Sequence, residues 1–500
     1  MLTQNDIIYF VLTDRFCKGR RNGQGLEPAN PKGVHGGDFA GLKKKIPYLQ
    51  KLGITAVWIT PVYLNIGRYF DSSGYHGYWA MDFERVDARL SGSSADTARQ
   101  SRAQLKKLVS DFHQAGIKLI LDMVVNHTGY HTQEYLDYPR RRFEARHFNQ
   151  HREGDPVKGW LSGLPDLDHD QPEVGDYFVQ NILDWIEETG IDGIRMDTVK
   201  HVEDGFWYLF KSQVKTRHPQ ITLIGEVLDY DPVFIGRYQQ QNDFDTLFDF
   251  PLCNTIKESL IWDAPMTRLA RPRLHPGEAK GILDQDKPYT NANRLVTLLD
   301  NHDLDRRITS EILNRVGHWD RDLAREILML CFSFLLTTRG IPQIYYGSEI
   351  GLEGGRDPDN RRDMPWGLFG PDQRPKASHP FQRQIFDHLS RLIRLRKTHP
   401  AICYGYLFTL YVDHFIYAYL REFRGDLLLV VLHNGREAMP APVRIELTAN
   451  GNIPPRVKTL LGDGQMLQSQ VEGVADAVIS RGGVEVRLPR KAAGIYTLGH

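Results

Sequence analysis

Along the first four-fifths of the chain, short runs of apolar, β-favouring residues alternate with longer stretches whose apolar positions recur at helical spacing. Ile7 to Leu12 opens the series, Phe39 to Leu52 predicts a helix, and Ile54 to Ile59 a second strand. Thr97 to Ala115 is apolar at helical spacing and stops at Gly116, a usual helix terminator, before Ile117 to Val125 runs apolar as a third strand. The same alternation places strands at Ile191 to Met196, Ile221 to Ile224, Thr246 to Phe248, Arg294 to Leu299 and Ile341 to Tyr345. Eight strands separated by helices predict an α/β fold closed into a (β/α)8 TIM barrel.

The rhythm lapses twice. Between His127 and about Pro172 it gives way to a polar, aromatic and charged stretch, too long for an ordinary βα loop and therefore of the kind that carries function. After Pro400, short strand-like runs at Leu407 to Leu410, His414 to Leu420, Leu427 to Leu432, Val443 to Leu447 and Val484 to Leu488 are separated by Gly, Asn and Asp. The predicted organisation is a barrel over 1–127 and 172–400, an insertion domain over 128–171 after strand three, and an all-β sandwich over 401–500.

Charge narrows the partners. With 62 basic against 62 acidic residues and a pI near 7.3, nothing favours a polyanion or an anionic membrane over a neutral ligand. The densest basic run, Arg140-Arg141-Arg142, reads as a solvated face rather than a nucleic-acid patch. No uncharged apolar stretch reaches the ~18 residues of a membrane span. The start Met1 to Asp6 lacks the basic and apolar regions of a secretion signal. That predicts a cytoplasmic protein if Met1 is the native start, and an exported one if a leader was removed. Cys17, Cys253, Cys331 and Cys403 are scattered without paired spacing, which argues for buried thiols over zinc or a disulfide framework.

Three acids stand just past apolar runs: Asp197 after Gly193-Ile194-Arg195-Met196, Glu226 after Ile224-Gly225, and Asp303 after Asn301-His302. Parallel barrel strands all open onto one rim, so acids remote in sequence converge there. Glycosidic cleavage requires such a set: one carboxylic acid protonates the departing oxygen while a carboxylate attacks or stabilises the sugar cation. Strand alternation puts Arg195 on the same side as Asp197, so a permanent cation is expected to depress that acid's pKa and keep it ionised. Glu226, partly desolvated at a strand mouth, is expected to have a raised pKa suited to a proton donor. Asp303, with the His302 imidazole beside it, is placed for electrostatic stabilisation and for holding sugar hydroxyls. Asp122 and Asn126 close strand three on one side, where a structural role satisfied by neighbouring backbone weighs equally.

In their order and positions these segments resemble the α-amylase family of glycoside hydrolases, family thirteen, over the whole chain. The resemblance implies Asp197 as nucleophile, Glu226 as general acid and base, and Asp303 as transition-state stabiliser in a retaining double displacement. Tyr75-His76-Gly77-Tyr78-Trp79 is similar to the family's subsite segment, with Tyr78 stacking on the sugar at the cleavage point and His76 hydrogen-bonding it. Gly354-Gly355-Arg356-Asp357-Pro358-Asp359-Asn360-Arg361 resembles the segment supplying Asp357 and Arg361 to the next sugar. Lys200 and His201 match residues on the leaving-group side, and substrate contacts are likewise implied for His127, Arg195 and His302. Leu164-Pro165-Asp166-Leu167-Asp168 is similar to a signature whose first aspartate binds a structural Ca2+ with the residue matching Asn126 and the carbonyl of the one matching His201. Asp166 could instead cap the turn after Pro165.

Lys200-His201 and the run Gly225 to Pro232 are closest to starch hydrolases acting on internal α-1,4 bonds. Cyclodextrin glucanotransferases differ by an aromatic at Leu228 and an alanine at Thr198. Cyclomaltodextrinases tend to carry an added N-terminal domain, and α-glucosidases usually lack the Lys-His pair. A catalytically dead barrel serving as a binding subunit usually loses one of the acids, and all three are present. The expected partner is an α-glucan such as starch or maltodextrin, acted on by a monomer.

Overall fold

The computed structural model describes residues 1–20, 25–92, 97–130, 143–241, 244–272 and 278–498. Its centre is a ring of parallel strands: Ile8–Val11, Ala56–Ile59, Lys118–Met123, Gly193–Met196, Thr222–Gly225, Thr246–Leu247, Val296–Thr297 and Ile341–Tyr345. Each pairs with its neighbour in sequence, the last pairs with the first, and a parallel bridge from Phe248 to Val296 closes the ring. This is the expected (β/α)8 barrel. Almost every residue of these strands is buried, because helices cover the outside while side chains fill the inside.

The upper interior is aromatic. Phe10 stacks on Trp58 with centroids 3.6 Å apart and on Tyr345 at 5.2 Å, and Trp58 leans on Phe248 at 5.4 Å. These buried rings form an apolar floor beneath the carboxyl ends of the strands.

Two helices show how local chemistry sets the boundaries. Ala98–Gln114 is started by a capping box, with the Thr97 side chain accepting from the Gln100 N–H and the Gln100 side chain returning to the Thr97 N–H, and Gly116 turns the chain with φ +73°. The single helix expected over Phe39 to Leu52 is instead two, Phe39–Lys44 and Ile46–Leu52. Pro47 has no N–H to give to a preceding turn, so the helix breaks at Lys45 and Pro47 becomes a first-turn residue of the second.

The stretch after strand three is tied back to that strand. Asn126 O accepts from Leu167 N at 2.8 Å, and bridges join His127 to Asp166 and Phe148 to Leu167. Arg140, Arg141 and Arg142 lie outside the described residues.

Beyond the barrel, eight antiparallel strands form the C-terminal all-β sandwich in the order Tyr406–Val412, Ile416–Phe423, Asp426–His433, Ala492–Leu498, Met466–Ser469, Ala477–Ser480, Gly483–Val486, Val443–Glu446. It has its own apolar core around Leu429, Val431, Ile445 and Val484. Its contacts with the barrel include buried polar ones: Tyr419 OH meets Thr337 Oγ1 at 2.5 Å, and Lys491 Nζ reaches Asp263 at 2.8 Å. All four cysteines are buried free thiols. Among the described residues, no helix is long and apolar enough to cross a membrane.

Candidate active site

A cleft of about 460 Å³ opens at the carboxyl ends of the strands, and Asp197, Glu226 and Asp303 all line it. The organising group beneath them is Arg195, 1% exposed in its side chain. Its Nη1 donates to Asp122 at 2.9 Å and to Asp197 at 2.5 Å, while Nη2 lies 2.9 Å from Glu226 Oε1 and 3.8 Å from Asp303. A planar guanidinium offers two nitrogens on one edge, so a single side chain from strand four holds carboxyls from strands three, four and five in fixed relation. Asp197 and Glu226 thus lie against the two terminal nitrogens of one guanidinium.

Asp122, given equal weight as a structural residue from sequence, is the hub of the opposite side. Besides Arg195 it accepts from Trp58 Nε1 at 3.0 Å and from Tyr78 OH at 2.7 Å. That bond fixes the Tyr78 ring at the cleft wall, where it stacks on the His302 ring at 5.3 Å. Asp122 does not line the cleft, and its part is to position Tyr78 and Arg195.

The expectation that Arg195 depresses the pKa of Asp197 is corrected by burial. Removal of the carboxylate from water is the larger influence, Arg195 opposes it, and Glu226 and Asp303 add repulsion, leaving Asp197 pushed up to about 7. Asp122 is pushed up to about 8 for the same first reason. Glu226 is raised, as expected, again chiefly by burial. The Glu226 and Asp303 carboxyls hydrogen-bond each other, a contact that raises Glu226 and lowers Asp303. Of the two carboxyls, Glu226 is the one whose proton this contact favours.

This burial has a measurable sign. With a folded-state pKa above the unfolded value, the native protein holds a proton that the unfolded chain has lost between about pH 4 and about pH 7. The stability contributed by Asp197 is full below that window and is lost as pH rises through it. An Asp197→Asn variant should therefore gain more melting temperature relative to wild type at pH 8 than at pH 5. Equal differences at the two pH values would contradict this environment.

The remaining expected residues divide. His76, Tyr78, His127, Lys200, His201, Asp357 and Arg361 all line the cleft. Burial holds His76 and His302 well below their usual range and His127 down to about 4, so each imidazole is neutral. Arg361 contacts Asp357 at 3.2 Å and Asp303 at 3.7 Å, and donates to the His302 carbonyl. Lys200 Nζ donates to the Leu228 carbonyl at 2.6 Å, tying the turn after strand four to the one after strand five. His302 and Arg195 lie under the cleft rather than on its wall, and touch Asp303 and the acids from below. Sequence reading missed Tyr130, Leu161, Ser162 and Leu164 on the wall, although the length of the insertion marked the region.

The candidate metal residues lie at the seam between insertion and barrel. Asp166 is buried, accepts from Asn149 Nδ2 at 2.9 Å and from the Asn126 side chain, and retains Oδ1 with no hydrogen-bond partner. Burial pushes its carboxyl up to about 7. An orphaned hard oxygen beside a side-chain amide fits a Ca2+ ligand better than a turn cap, which would satisfy that oxygen. His201 sits on the turn Val199–His201, its Nδ1 against the Pro156 carbonyl at 2.6 Å. Glu203, not singled out from sequence, also has a buried Oε1 with no hydrogen-bond partner and is raised to about 7. It clusters with Asp168 and Asp170, where Lys158 Nζ already supplies a cation 2.5 Å from Asp170.

Comparison with known proteins gives the family of the chain. The family model for the alpha amylase catalytic domain matches residues 10–405. The chain is 30% identical over 98% of its length to a beta/alpha-amylase of Paenibacillus polymyxa, of which it spans 37%. It is 28% identical over 86% of its length to a cyclomaltodextrinase of Thermoanaerobacter pseudethanolicus, spanning 70% of that protein. The solved structure of an α-amylase from Anoxybacillus superposes with a TM-score of 0.81 at 31% identity, covering 99% of this chain and 98% of that one.

Proposed function

The chain belongs to the α-amylase family of glycoside hydrolases, and from that premise we propose that it cleaves internal α-1,4-glucosidic bonds of starch, glycogen and maltodextrins with retention. The observation that carries this reading is the single buried guanidinium of Arg195 touching both Asp197 and Glu226 at the floor of an open cleft. In the first step the Glu226 carboxylic acid gives its proton to the glycosidic oxygen. The C1–O bond breaks, the leaving chain departs with a free hydroxyl, and an Asp197 oxygen bonds to C1 from the opposite face. Water then attacks C1 as the Glu226 carboxylate takes its proton, and Asp197 leaves as a carboxylate. Asp303 supplies negative charge to the cationic sugar in both transition states. The neutral His76 ring on the cleft wall presents a hydrogen bond without adding positive charge beside that cation.

Chromatography of the products from soluble starch and from a cyclic dextrin tests the specificity. Linear maltodextrins of falling length from starch support the proposal. Faster attack on the cyclic substrate would shift it to the chemistry named for the Thermoanaerobacter relative, and cyclic products would shift it to transglycosylation.

We further propose that Asn126, Asp166 and the carbonyl of His201 hold a structural Ca2+ between insertion and barrel. When bound, the ion supplies the charge that the buried Asp166 carboxylate otherwise lacks. Removing divalent ions with a chelator is expected to lower the melting temperature, since a ligand bound only by the folded state stabilises it by mass action. Restoring Ca2+ should restore it in wild type but not in Asp166→Ala. An unchanged melting temperature after verified metal removal would reject the assignment.

A further inference from the structure

Phe70 breaks two rules of local stability at once. Its side chain is 82% exposed, and its backbone has φ +51°, in the left-handed region where a bulky residue is strained. It sits at the first central position of a tight turn in which Tyr69 and Ser72 exchange backbone hydrogen bonds of 2.9 and 3.1 Å. Glycine is the residue that suits such a position. The turn is tied to its neighbours by surface contacts: Lys32 pairs with the neighbouring Asp71 at 2.9 Å, Arg68 pairs with Glu27 at 2.8 Å, and Asn30 donates to the Asp71 carbonyl. A strained, exposed ring on an anchored turn is the pattern of a site kept for contact.

The ring is continuous with the cleft. Phe70 meets Tyr69 edge-on with centroids 4.5 Å apart, Tyr69 stacks flat on Tyr130 at 3.9 Å and 10°, and Tyr130 meets Trp79 at 5.1 Å. Tyr130 and Trp79 both line the cleft wall, and Tyr130 OH donates to the Ser162 carbonyl of the insertion at 2.9 Å. An unbroken file of rings thus leads from the cleft wall out to Phe70. Aromatic faces match the apolar C–H faces of pyranose rings and cost little conformational entropy to present.

We propose that Phe70, supported by Tyr69 and Tyr130, is an outer stacking platform for a glucose unit remote from the bond being cleaved. It selects longer α-glucan chains over short ones. This rests on the α-glucan reading of the cleft. The bound polymer lies along the aromatic wall, so each added sugar that reaches the platform adds affinity without touching the reacting bond, an effect on KM more than on kcat.

Phe70→Gly tests it without endangering the fold, because glycine adopts this backbone freely. On maltoheptaose kcat/KM should fall about fivefold, mostly through KM, the size expected for one aromatic stack. On maltotetraose it should stay within about twofold, and Phe70→Trp should restore the long-substrate value. Equal losses on both substrates, or no loss on either, would overturn the platform. Wild-type protein that cleaved neither substrate would overturn the α-glucan reading itself, and the platform with it.

Discussion

Glu226→Gln is expected to lower hydrolysis of α-1,4-glucans by about a thousandfold, the middle of the range for loss of a general acid. The substitution keeps the shape of the side chain and can keep the hydrogen bond from Thr198 N, now 3.0 Å from Oε2. It removes the proton that must reach the glycosidic oxygen. Because Glu226 is buried against Arg195 and Asp303, no neighbouring acid is placed to replace it: Asp197 is pinned at 2.5 Å and Asp122 lies below the cleft. The loss should fall on kcat, with KM for maltoheptaose changed little, since the acid acts only as the bond breaks. Melting temperature should be preserved or raised, because a buried carboxyl is replaced by a neutral group. Reducing-end release near the wild-type rate would mean that the proton comes from elsewhere.

The largest effect on stability is expected from Arg195. Replacing it by methionine leaves Asp122, Asp197 and Glu226 buried with their shared cation gone. Breaking a buried pair in this way costs about 3–5 kcal/mol, and here one cation serves several acids. The carboxyls would retain protons to still higher pH, so the variant should lose activity at neutral pH even where it remains folded. Lysine should recover part of the stability and little of the activity. An ammonium is a point charge and cannot bond Asp197 and Glu226 from two nitrogens on one rigid edge. Urea unfolding of the variants measures the first effect, and unfolding free energies equal to wild type would show that Arg195 is not the keystone of the floor.

How far the residues alone revealed this arrangement follows from what is local and what is not. The barrel strands were legible because each is a buried apolar run between breakers. Asp197, Glu226 and Asp303 were legible because each directly follows such a run, and parallel strands in a barrel share one exit face. The C-terminal strands Met466–Ser469 and Ala477–Ser480 were not, since both are short and half-exposed, and Ala492–Leu498 begins on Ala-Ala-Gly, which carries little β signal. The break at Pro47 was readable in principle and was overridden by the helical spacing around it. The sign of the Asp197 shift was beyond reach, because it depends on how deeply the strand end is buried and on two carboxyls from other strands. Asp122 was ambiguous for a similar reason: its importance lies in Trp58, Tyr78 and Arg195, contributed by three other segments. The Tyr69–Tyr130 stack joins residues on separate loops, and no periodicity announces it.

The central claim is that the Asp197 carboxylate forms a bond to the anomeric carbon. Incubation with an activated fluorosugar that glycosylates the enzyme readily but is released slowly, followed by proteolysis and mass spectrometry, tests it most directly. The account predicts one added sugar on the peptide that contains Asp197. A label on Glu226, on Asp303 or on any other carboxylate would contradict it.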